Sequence, residues 1–277
     1  IYNDYFEKEH NLVTGIVQRL NVNGNGISIS LGKCDTVLPE SEQVKGEVFH
    51  PTDYIKLYVV EVKDTPKGPR IAVSRTHPDL VRCLFEQEVS EVKDGTVEIK
   101  AIAREAGSRT KMAVYSNDEN VDPVGACVGV RGSRVHGIVR ELCNENLDVI
   151  NWTANTKLFI QRALSPAKVS SLNVDEENKK AEVYLQPEEV SLAIGRGGMN
   201  IKLASMLTGY TIDVFRELDE QNAEEDIYLD EFSDEIDQWV IDAIKGIGLD
   251  TARQVLNAPR EMLIEKADLE EETVDNV

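Results

Sequence analysis

The chain has 277 residues, of which 41% are hydrophobic and 29% charged, and this size predicts two or more folded domains. No apolar run is long enough to span a membrane, and the four cysteines are scattered without a CxxC pair, which argues against a disulfide framework and a zinc site. The formal net charge of −20 argues at first against a partner as acidic as nucleic acid.

The acidic residues are concentrated toward the C-terminal end. Residues 217–277 contain 20 Asp and Glu but only 4 Lys and Arg, whereas residues 1–216 contain 30 acidic and 26 basic residues. The front of the chain can therefore carry local basic surface, and nucleic acid stays open as its partner.

Residues 1–9 are a charged, helix-like stretch that starts at Ile1 rather than at methionine. We expect it to be the remnant of a helix that connects to an upstream domain. Residues 10–77 then contain about five short, alternating strands separated by turns, a pattern typical of a small closed barrel. The pattern G-x-V in the first strand, followed by ISLGKCDTVLPESE (29–42), resembles a five-stranded OB-type β-barrel of the S-one type. Such barrels bind single strands through aromatic rings and cations. The candidates on the barrel are Lys33, His50, Tyr54, Arg70 and Arg75; the alternative is a spacer with solvated charges.

An internal repeat follows the predicted barrel. The stretch DPVGACVGVRGSR (122–134) matches EEVSLAIGRGGMN (188–200) position by position, so that Gly129 corresponds to Gly195 and Gly132 to Gly198. Two β-type runs precede each stretch and one follows it. This pattern predicts two α/β domains, residues 78–152 and 153–217, each with two helices that meet at a G-x-x-G segment.

The two G-x-x-G segments predict phosphate-binding loops. Glycine has no Cβ, so a sugar–phosphate chain can approach the backbone, and the N–H groups that begin the second helix favour an anion. KH domains clamp about four nucleotides of a single strand in this way. A single copy is more simply a tight turn between helices, but two matching copies that each contain an arginine favour binding. The candidate RNA-binding residues are Gly129, Val130, Arg131, Gly132, Ser133, Arg134, Gly195, Arg196, Gly197, Gly198, Met199, Asn200 and Lys202.

The two loops and their connection differ in detail. The arginine is the third residue of the first loop (Arg131) and the second residue of the second loop (Arg196), so the two loops need not contribute equally. The connecting segment 151–168 has no glycine and one proline. Because flexible linkers are rich in Gly and Ser, we expect a partly helical connection and one rigid platform.

Residues 218–277 form an acidic region with a helical pattern. An apolar stripe on one helical face is followed by Gly246-Ile247-Gly248 and a second apolar helix, which predicts a helix-hairpin-helix unit at about residues 232–266. In a basic protein such a unit binds DNA phosphates, but the acidic surroundings here favour a protein contact. The alternative is a solvated tail with a marginal helical fold. The candidate contact residues are Trp239, Ile244, Gly246 and Gly248.

This order of elements resembles the NusA family of bacterial transcription elongation and termination factors. The motifs that carry the resemblance are SRTHPDLVRCLFEQEV (74–89), AIAREAGSRTKMAV (101–114), DPVGACVGVRGSRV (122–135), RALSPAKV (162–169) and AIGRGGMNIKLASMLTG (193–209). The resemblance implies an α+β multidomain fold: an S-one type barrel, two KH domains of the prokaryotic type and an acidic helix-hairpin-helix region. It also implies nascent single-stranded RNA, RNA polymerase and other antitermination factors as partners, and a role in pausing, termination and antitermination. We expect the family's N-terminal polymerase-binding domain to lie outside this sequence.

No catalytic constellation is recognisable in the sequence. There is no phosphate-binding G-x-x-x-x-G-K-[ST] loop, and Cys127 and His136 have no third group for nucleophilic catalysis. We therefore expect a cytoplasmic, monomeric protein that is not an enzyme, with no cofactor, no metal and no membrane contact. Two other classes stay open: a subunit of an RNA-degrading machine that combines S-one and KH modules, and a DNA-binding helix-hairpin-helix protein.

Overall fold

The computed structural model describes residues 1–22, 24, 26–217 and 227–276. The chain divides into two compact units, Ile1–Glu217 and Leu218–Val277. Within the described ranges, no helix has both the length and the apolar character needed to cross a lipid bilayer.

The first unit begins with a short helix and a five-stranded barrel. The elements are α1 Tyr2–Phe6, β1 Leu12–Val22, β2 Gly26–Ser30, β3 Asp35–Leu38, β4 Tyr54–Lys63 and β5 Arg70–Ser74. The strands pair antiparallel in the order β3-β2-β1-β4-β5. Thr36 Oγ1 in β3 donates a hydrogen bond of 2.6 Å to the carbonyl oxygen of Ile71 in β5, so the two edge strands nearly meet. Alternate side chains such as Val17, Ile29 and Leu57 fill the interior, and the predicted barrel is confirmed.

The first KH domain follows the barrel directly. Its elements are α2 Pro78–Glu88, α3 Ser90–Lys93, β6 Val97–Glu105, β7 Arg109–Ser116, α4 Pro123–Val128, α5 Ser133–Glu141 and β8 Asn146–Asn151. The sheet has the order β6-β7-β8, antiparallel between β6 and β7 and parallel between β7 and β8. Helices α2, α4 and α5 cover one face of this sheet around Met112, Val114 and Ile138.

The second KH domain repeats this arrangement. Its elements are α6 Thr156–Ala163, β9 Ser171–Asp175, β10 Lys180–Leu185, α7 Pro187–Ile194, α8 Met199–Thr208 and β11 Thr211–Arg216. Strands β9 and β10 are antiparallel and β10 and β11 parallel, in the sheet order β9-β10-β11. The strand orders and directions of the two sheets are the same, which confirms the predicted pair of KH domains.

The two KH domains share one hydrophobic core. Ala103, Ala113 and Ile150 of the first domain pack in the same cluster as Leu203 and Leu207 of α8. Helix α6 lies inside the segment 151–168, as expected from the absence of glycine. The shared core makes the pair one compact body rather than two domains on a flexible linker.

The second unit is a small helical fold, described from residue 227 onward. Its helices are α9 Gln238–Gly246, α10 Ala252–Asn257, α11 Arg260–Lys266 and α12 Glu271–Asn276. Gly248, between α9 and α10, has a φ of +86°, and this turn is consistent with a helix-hairpin-helix unit. Trp239 is 56% exposed, as a contact residue must be, but Ile244 is buried in the core of the unit. The prediction that Ile244 contacts a partner is therefore wrong, because α9 turns this side chain toward α10 and α11.

Candidate nucleic-acid interface

The two G-x-x-G loops have the same backbone conformation. At the first position φ and ψ are 75° and 172° in one loop and 74° and 172° in the other. At the third position φ and ψ are 53° and 30° in the first loop and 62° and 22° in the second. At the fourth position they are 75° and 14° in the first loop and 72° and 12° in the second. The residues in this order are Gly129 and Gly195, Arg131 and Gly197, and Gly132 and Gly198. The repeat found in the sequence is thus a repeat of local geometry.

Glycine is required at the first position of each loop because the following helix passes very close to it. A Cβ on Gly129 would lie 2.8 Å from Cγ of Arg134, and a Cβ on Gly195 would lie 2.6 Å from Cβ of Asn200. Both glycines also have a positive φ combined with an extended ψ, a region that is essentially restricted to glycine. No other residue type lets the two helices meet at this distance.

The fourth glycine of each loop leaves the following helix without a side-chain cap. Gly132 is the N-cap of α5 and Gly198 is the N-cap of α8, and neither position has a side chain that could accept a hydrogen bond from the first turn. The first N–H groups of a helix have no partner within the helix and carry the positive end of its dipole. In both loops, however, the N–H groups of Ser133 and Met199 already donate to the carbonyl oxygens of Val130 and Arg196 within the turn. What each helix offers to a phosphate oxygen is therefore the positive end of its dipole.

The side chains inside the loops are exposed. Val130 is 82% exposed, and Arg131 and Arg196 also lie on the surface. Arg131 occupies the left-handed third position, where a residue other than glycine costs roughly 1–2 kcal/mol. In the second loop Gly197 takes this strained position and Arg196 precedes it. The positively charged side chain therefore projects from the third position of the first loop and from the second position of the second loop.

The residue that follows each loop by two positions has a structural role. Arg134 donates to the carbonyl oxygen of Ala126 at 2.7 Å and to the carboxylate of Glu91 at 3.0 Å. Asn200 is only 1% exposed, and its amide nitrogen contacts the carbonyl oxygens of Leu192, Ala193 and Leu164 at 3.0–3.2 Å. The structure corrects the prediction for Asn200, which is buried under the loop and cannot contact RNA directly.

The remaining predicted residues differ in accessibility. Ser133 is exposed, whereas Met199 is half-buried against the core shared by the KH domains. Lys202 is exposed, and its ammonium group forms an ion pair of 2.7 Å with Glu105 of β6. This pairing reduces the positive charge that Lys202 can offer to a phosphate. The sequence could not reveal it, because the two residues are separated by 97 positions.

Arg75, predicted as an RNA contact of the barrel, is instead a buried junction residue. Its guanidinium group donates to Glu47, to the carbonyl oxygen of Lys56, and to both the side chain and the carbonyl oxygen of Glu141 at the end of α5. The side chain is 1% exposed. The prediction is wrong because these partners take up the guanidinium group and hold the barrel against the first KH domain.

A second buried arginine supports the same junction. Arg104 donates to both carboxylate oxygens of Glu145, at 2.9 and 3.0 Å, and to the carbonyl oxygens of Arg75 and His77. Glu145 also accepts a bond of 2.6 Å from Thr110. Burial raises the pKa of Glu145. The hydrogen bonds and the charge of Arg104 lower it by more than burial raises it, so the pKa of Glu145 lies below its ordinary value. The sequence alone does not reveal this pair, since the two residues are 41 positions apart.

The other barrel candidates are on the surface but on separate elements. Lys33, which follows β2, pairs with Asp4 of α1. His50 and Tyr54 lie close in sequence at the start of β4, and Tyr54 is 75% exposed. Arg70 lines a cleft of about 700 Å³ between β3 and β5. The structure therefore does not bring these four side chains together into one cluster.

A cleft of about 430 Å³ lies at the junction of the two KH domains. It is lined by Val124 of α4, by residues 149–151 of β8, and by Arg162 and Lys168 from the second domain. Cys127, on α4, is buried, and burial raises the pKa of its thiol to about 12. The cleft thus has two cations in its lining, and the buried thiol of Cys127 is held in its neutral form.

Comparisons with known proteins agree with this geometry. A model of the NusA-like first KH domain matches residues 75–152, and a model of the NusA-like second KH domain matches residues 156–222. Three curated relatives carry the name "Transcription termination/antitermination protein NusA". The relative from Bacillus subtilis is 48% identical over 79% of this chain and 58% of its own length.

The other two relatives are similar to the same extent. The relative from Halalkalibacterium halodurans is 47% identical over 80% of this chain and 57% of its own length. The relative from Thermus thermophilus is 49% identical over 76% of this chain and 54% of its own length. The chain thus spans somewhat more than half the length of these relatives. With both KH domains matched in the order found here, the chain belongs to the NusA family.

Proposed function

We propose that this chain binds single-stranded RNA across its two G-x-x-G loops and has no catalytic activity of its own. The observation that carries the proposal is the closely similar backbone of the two loops, each followed by a helix N-terminus without a side-chain cap. The positive end of a helix dipole, an exposed arginine and a glycine surface that admits a phosphodiester are the elements of a KH clamp. Two clamps in one compact body double the length of strand that can be held.

The strand we propose runs continuously across both domains. The shared core keeps the two loops in a constant relation, and the junction cleft between α4, β8 and α6 lies where the domains meet. Arg162 and Lys168 on the rim of this cleft would contact the backbone between the clamps. Phosphate contacts of this kind position a strand without reading its sequence.

In the cell, this RNA is nascent RNA and the chain acts in a transcription complex. The curated relatives are named for transcription termination and antitermination, and the chain shares nearly half of its residues with them over the matched region. We infer association with RNA polymerase and with other antitermination factors, an effect on pausing, termination and antitermination, and a monomeric state in the cytoplasm. Crosslinking of this chain to nascent RNA in an elongation complex tests this part directly.

The acidic C-terminal unit contacts protein rather than nucleic acid in this proposal. Residues 217–277 carry 20 acidic against 4 basic residues, a field that repels a phosphodiester. Trp239 is an exposed aromatic side chain at the start of α9, the helix that ends at Gly246. Aromatic side chains of this kind are the usual anchors of protein interfaces.

The loops are tested by reversing their charge. The variant Val130→Asp/Arg131→Asp, the variant Arg196→Asp/Gly197→Asp and the combination of all four place carboxylates where a phosphate would lie. Asp tolerates the left-handed conformation better than most residues, so folding should be retained. We expect each double variant to bind a single-stranded RNA more weakly in fluorescence anisotropy, and the combination to lose binding.

A matched control separates repulsion from loop distortion. Val130→Asn/Arg131→Asn has the same shapes without the negative charge and should lose less affinity than the Asp pair. Equal binding by the wild type and the combined Asp variant would exclude the loops as the site. Tighter binding to DNA than to RNA of the same sequence would favour a DNA-binding protein, and consumption of the RNA in the presence of phosphate would favour an RNA-degrading enzyme.

A further inference from the structure

A histidine lies beside the first loop, at the position that is a lysine in the second. His136 of α5 corresponds to Lys202 of α8 in the repeat, since each lies four positions after the last glycine of its loop. His136 is exposed, and its ring lies against Gly132: a Cβ there would be 2.9 Å from Cε1 of His136. In the described part of the chain its imidazole has no hydrogen-bond or ion-pair partner.

The two corresponding side chains are used differently. Lys202 is paired with Glu105, and the space around Gly198 is open, with no atom within 4 Å of a Cβ built there. The ammonium group of Lys202 is therefore paired with a carboxylate and does not lie against the second loop. His136 stays at the first loop and has no such carboxylate partner, so any charge on its ring is available to a ligand of the loop.

We propose that protonated His136 is an additional phosphate-binding group of the first loop, so that this loop holds RNA more tightly at mildly acidic pH while the second loop does not change. The inference rests on the proposed function of the loops. An imidazolium ring has two N–H donors and a full positive charge, whereas the neutral ring has one donor. Histidine is the side chain whose charge ordinarily changes between pH 5 and 8.

The charged groups on the elements packed against α5 set the conditions for this change. The loop carries Arg131, and α5 itself carries Arg134, Arg140 and Glu141. On α2, Glu88 lines a cleft with Gly137 and Arg140, and on α3, Glu91 is paired with Arg134. Helix α4 has no charged residue between Pro123 and Val128, and Asp148 of β8 is paired with Arg109 and Lys111.

A phosphate bound at the first loop adds negative charge beside the ring of His136, and this charge favours the protonated ring. Protonation of His136 and binding of RNA are therefore coupled, and each favours the other by the same free energy.

The test compares RNA affinity at pH 5.8 and pH 7.8 in the intact chain. For the wild type we expect binding to be about threefold tighter at the lower pH, the effect of one exposed ion pair. The dependence of log affinity on log salt should also steepen by about 0.7 at the lower pH, the value for one more phosphate contact on a single strand. His136→Gln should remove both differences, and His136→Lys should show the tighter binding at both pH values.

Two further variants keep the result unambiguous. Lys202→Gln should retain the pH difference of the wild type, because the second loop does not produce it. His50→Gln should also retain it; loss of the difference in His50→Gln but not in His136→Gln would assign the effect to the barrel and overturn the inference. His136→Gln that binds RNA with an unchanged pH difference overturns this inference alone, whereas failure of the wild type to bind RNA at either pH overturns the proposed function with it.

Discussion

Arg134 and Asn200 occupy equivalent positions of the internal repeat and make the same contact in two domains. Each donates a hydrogen bond to the carbonyl oxygen eight positions before it, at 2.7 Å to Ala126 and at 3.2 Å to Leu192. These carbonyls lie in the last turn of α4 and of α7, the helices that lead into the two loops. The side chain behind each loop therefore holds the end of the incoming helix, whether it is a charged arginine or a neutral amide.

The first prediction concerns the amide at this position. Asn200→Ala removes the donor for three carbonyl oxygens, two of them in buried contacts, and we expect a loss of about 1–3 kcal/mol in the free energy of unfolding. RNA affinity should also fall, since the second loop loses its support. The matched variant Arg134→Ala should cost less, because that side chain is 32% exposed and water can replace it. Chemical denaturation measures both, and a smaller loss for Asn200→Ala than for Arg134→Ala would contradict the assignment.

A second prediction compares two glycines of the same loop. Gly195→Ala brings a Cβ to 2.6 Å from Asn200 and also requires a backbone conformation nearly restricted to glycine, so the helices must separate. Gly198→Ala meets no atom within 4 Å and bears only the left-handed penalty, roughly 1–2 kcal/mol. Thermal unfolding should therefore show a clearly larger loss for Gly195→Ala. Equal losses would mean that close helix contact is not what selects glycine at position 195.

The buried pair of Arg104 and Glu145 leads to a prediction about pH. The pKa of Glu145 is below its ordinary value of ~4.3 in the folded chain, so the pair stabilises the fold fully above that value and less as the pH falls through the folded pKa. Glu145→Gln should leave Arg104 buried without a counter-charge and cost about 3–5 kcal/mol at neutral pH. Urea denaturation between pH 3 and pH 7 should show a shallower acid dependence for the variant. A dependence as steep as that of the wild type would assign the acid sensitivity to other carboxylates.

A fourth prediction distinguishes the two arginines of the barrel. Arg75→Ala leaves the buried carboxylate of Glu47 unpaired and should destabilise the chain by about 3–5 kcal/mol. It should also make the junction between the barrel and the first KH domain more sensitive to limited proteolysis. Arg70→Ala is the control: this side chain is exposed, and its loss should leave the stability unchanged. If Arg75→Ala keeps full stability and only weakens RNA binding, Arg75 is an RNA contact after all.

The shared core of the KH domains predicts a single tumbling unit. Leu203 and Leu207 of α8 pack with residues of the first domain, so the two domains should have the same rotational correlation time in NMR relaxation. Leu207→Ala should cost about 2–5 kcal/mol, because it removes a buried leucine from this junction. Different correlation times for the two domains in the wild type would refute the continuous platform for RNA.

Much of this architecture follows from local features of the sequence. The alternating strands of the barrel, the internal repeat and the glycines of the two loops are all readable from the sequence, since strand period and left-handed glycine positions are local properties. The partly helical connection followed in the same way from the absence of glycine in residues 151–168. These features determine the kind of domain and the location of the loops.

Which side chains are free to bind was decided only by the tertiary structure. Arg75 and Arg70 are alike in sequence, but Arg75 meets Glu47 and Glu141, which lie 28 and 66 positions away. Asn200 is buried and donates a hydrogen bond to the carbonyl oxygen of residue 164, and Ile244 is buried in the core of its own unit. Burial and charge pairing depend on groups that are distant along the chain, and those groups are brought together only when the sheets and helices pack.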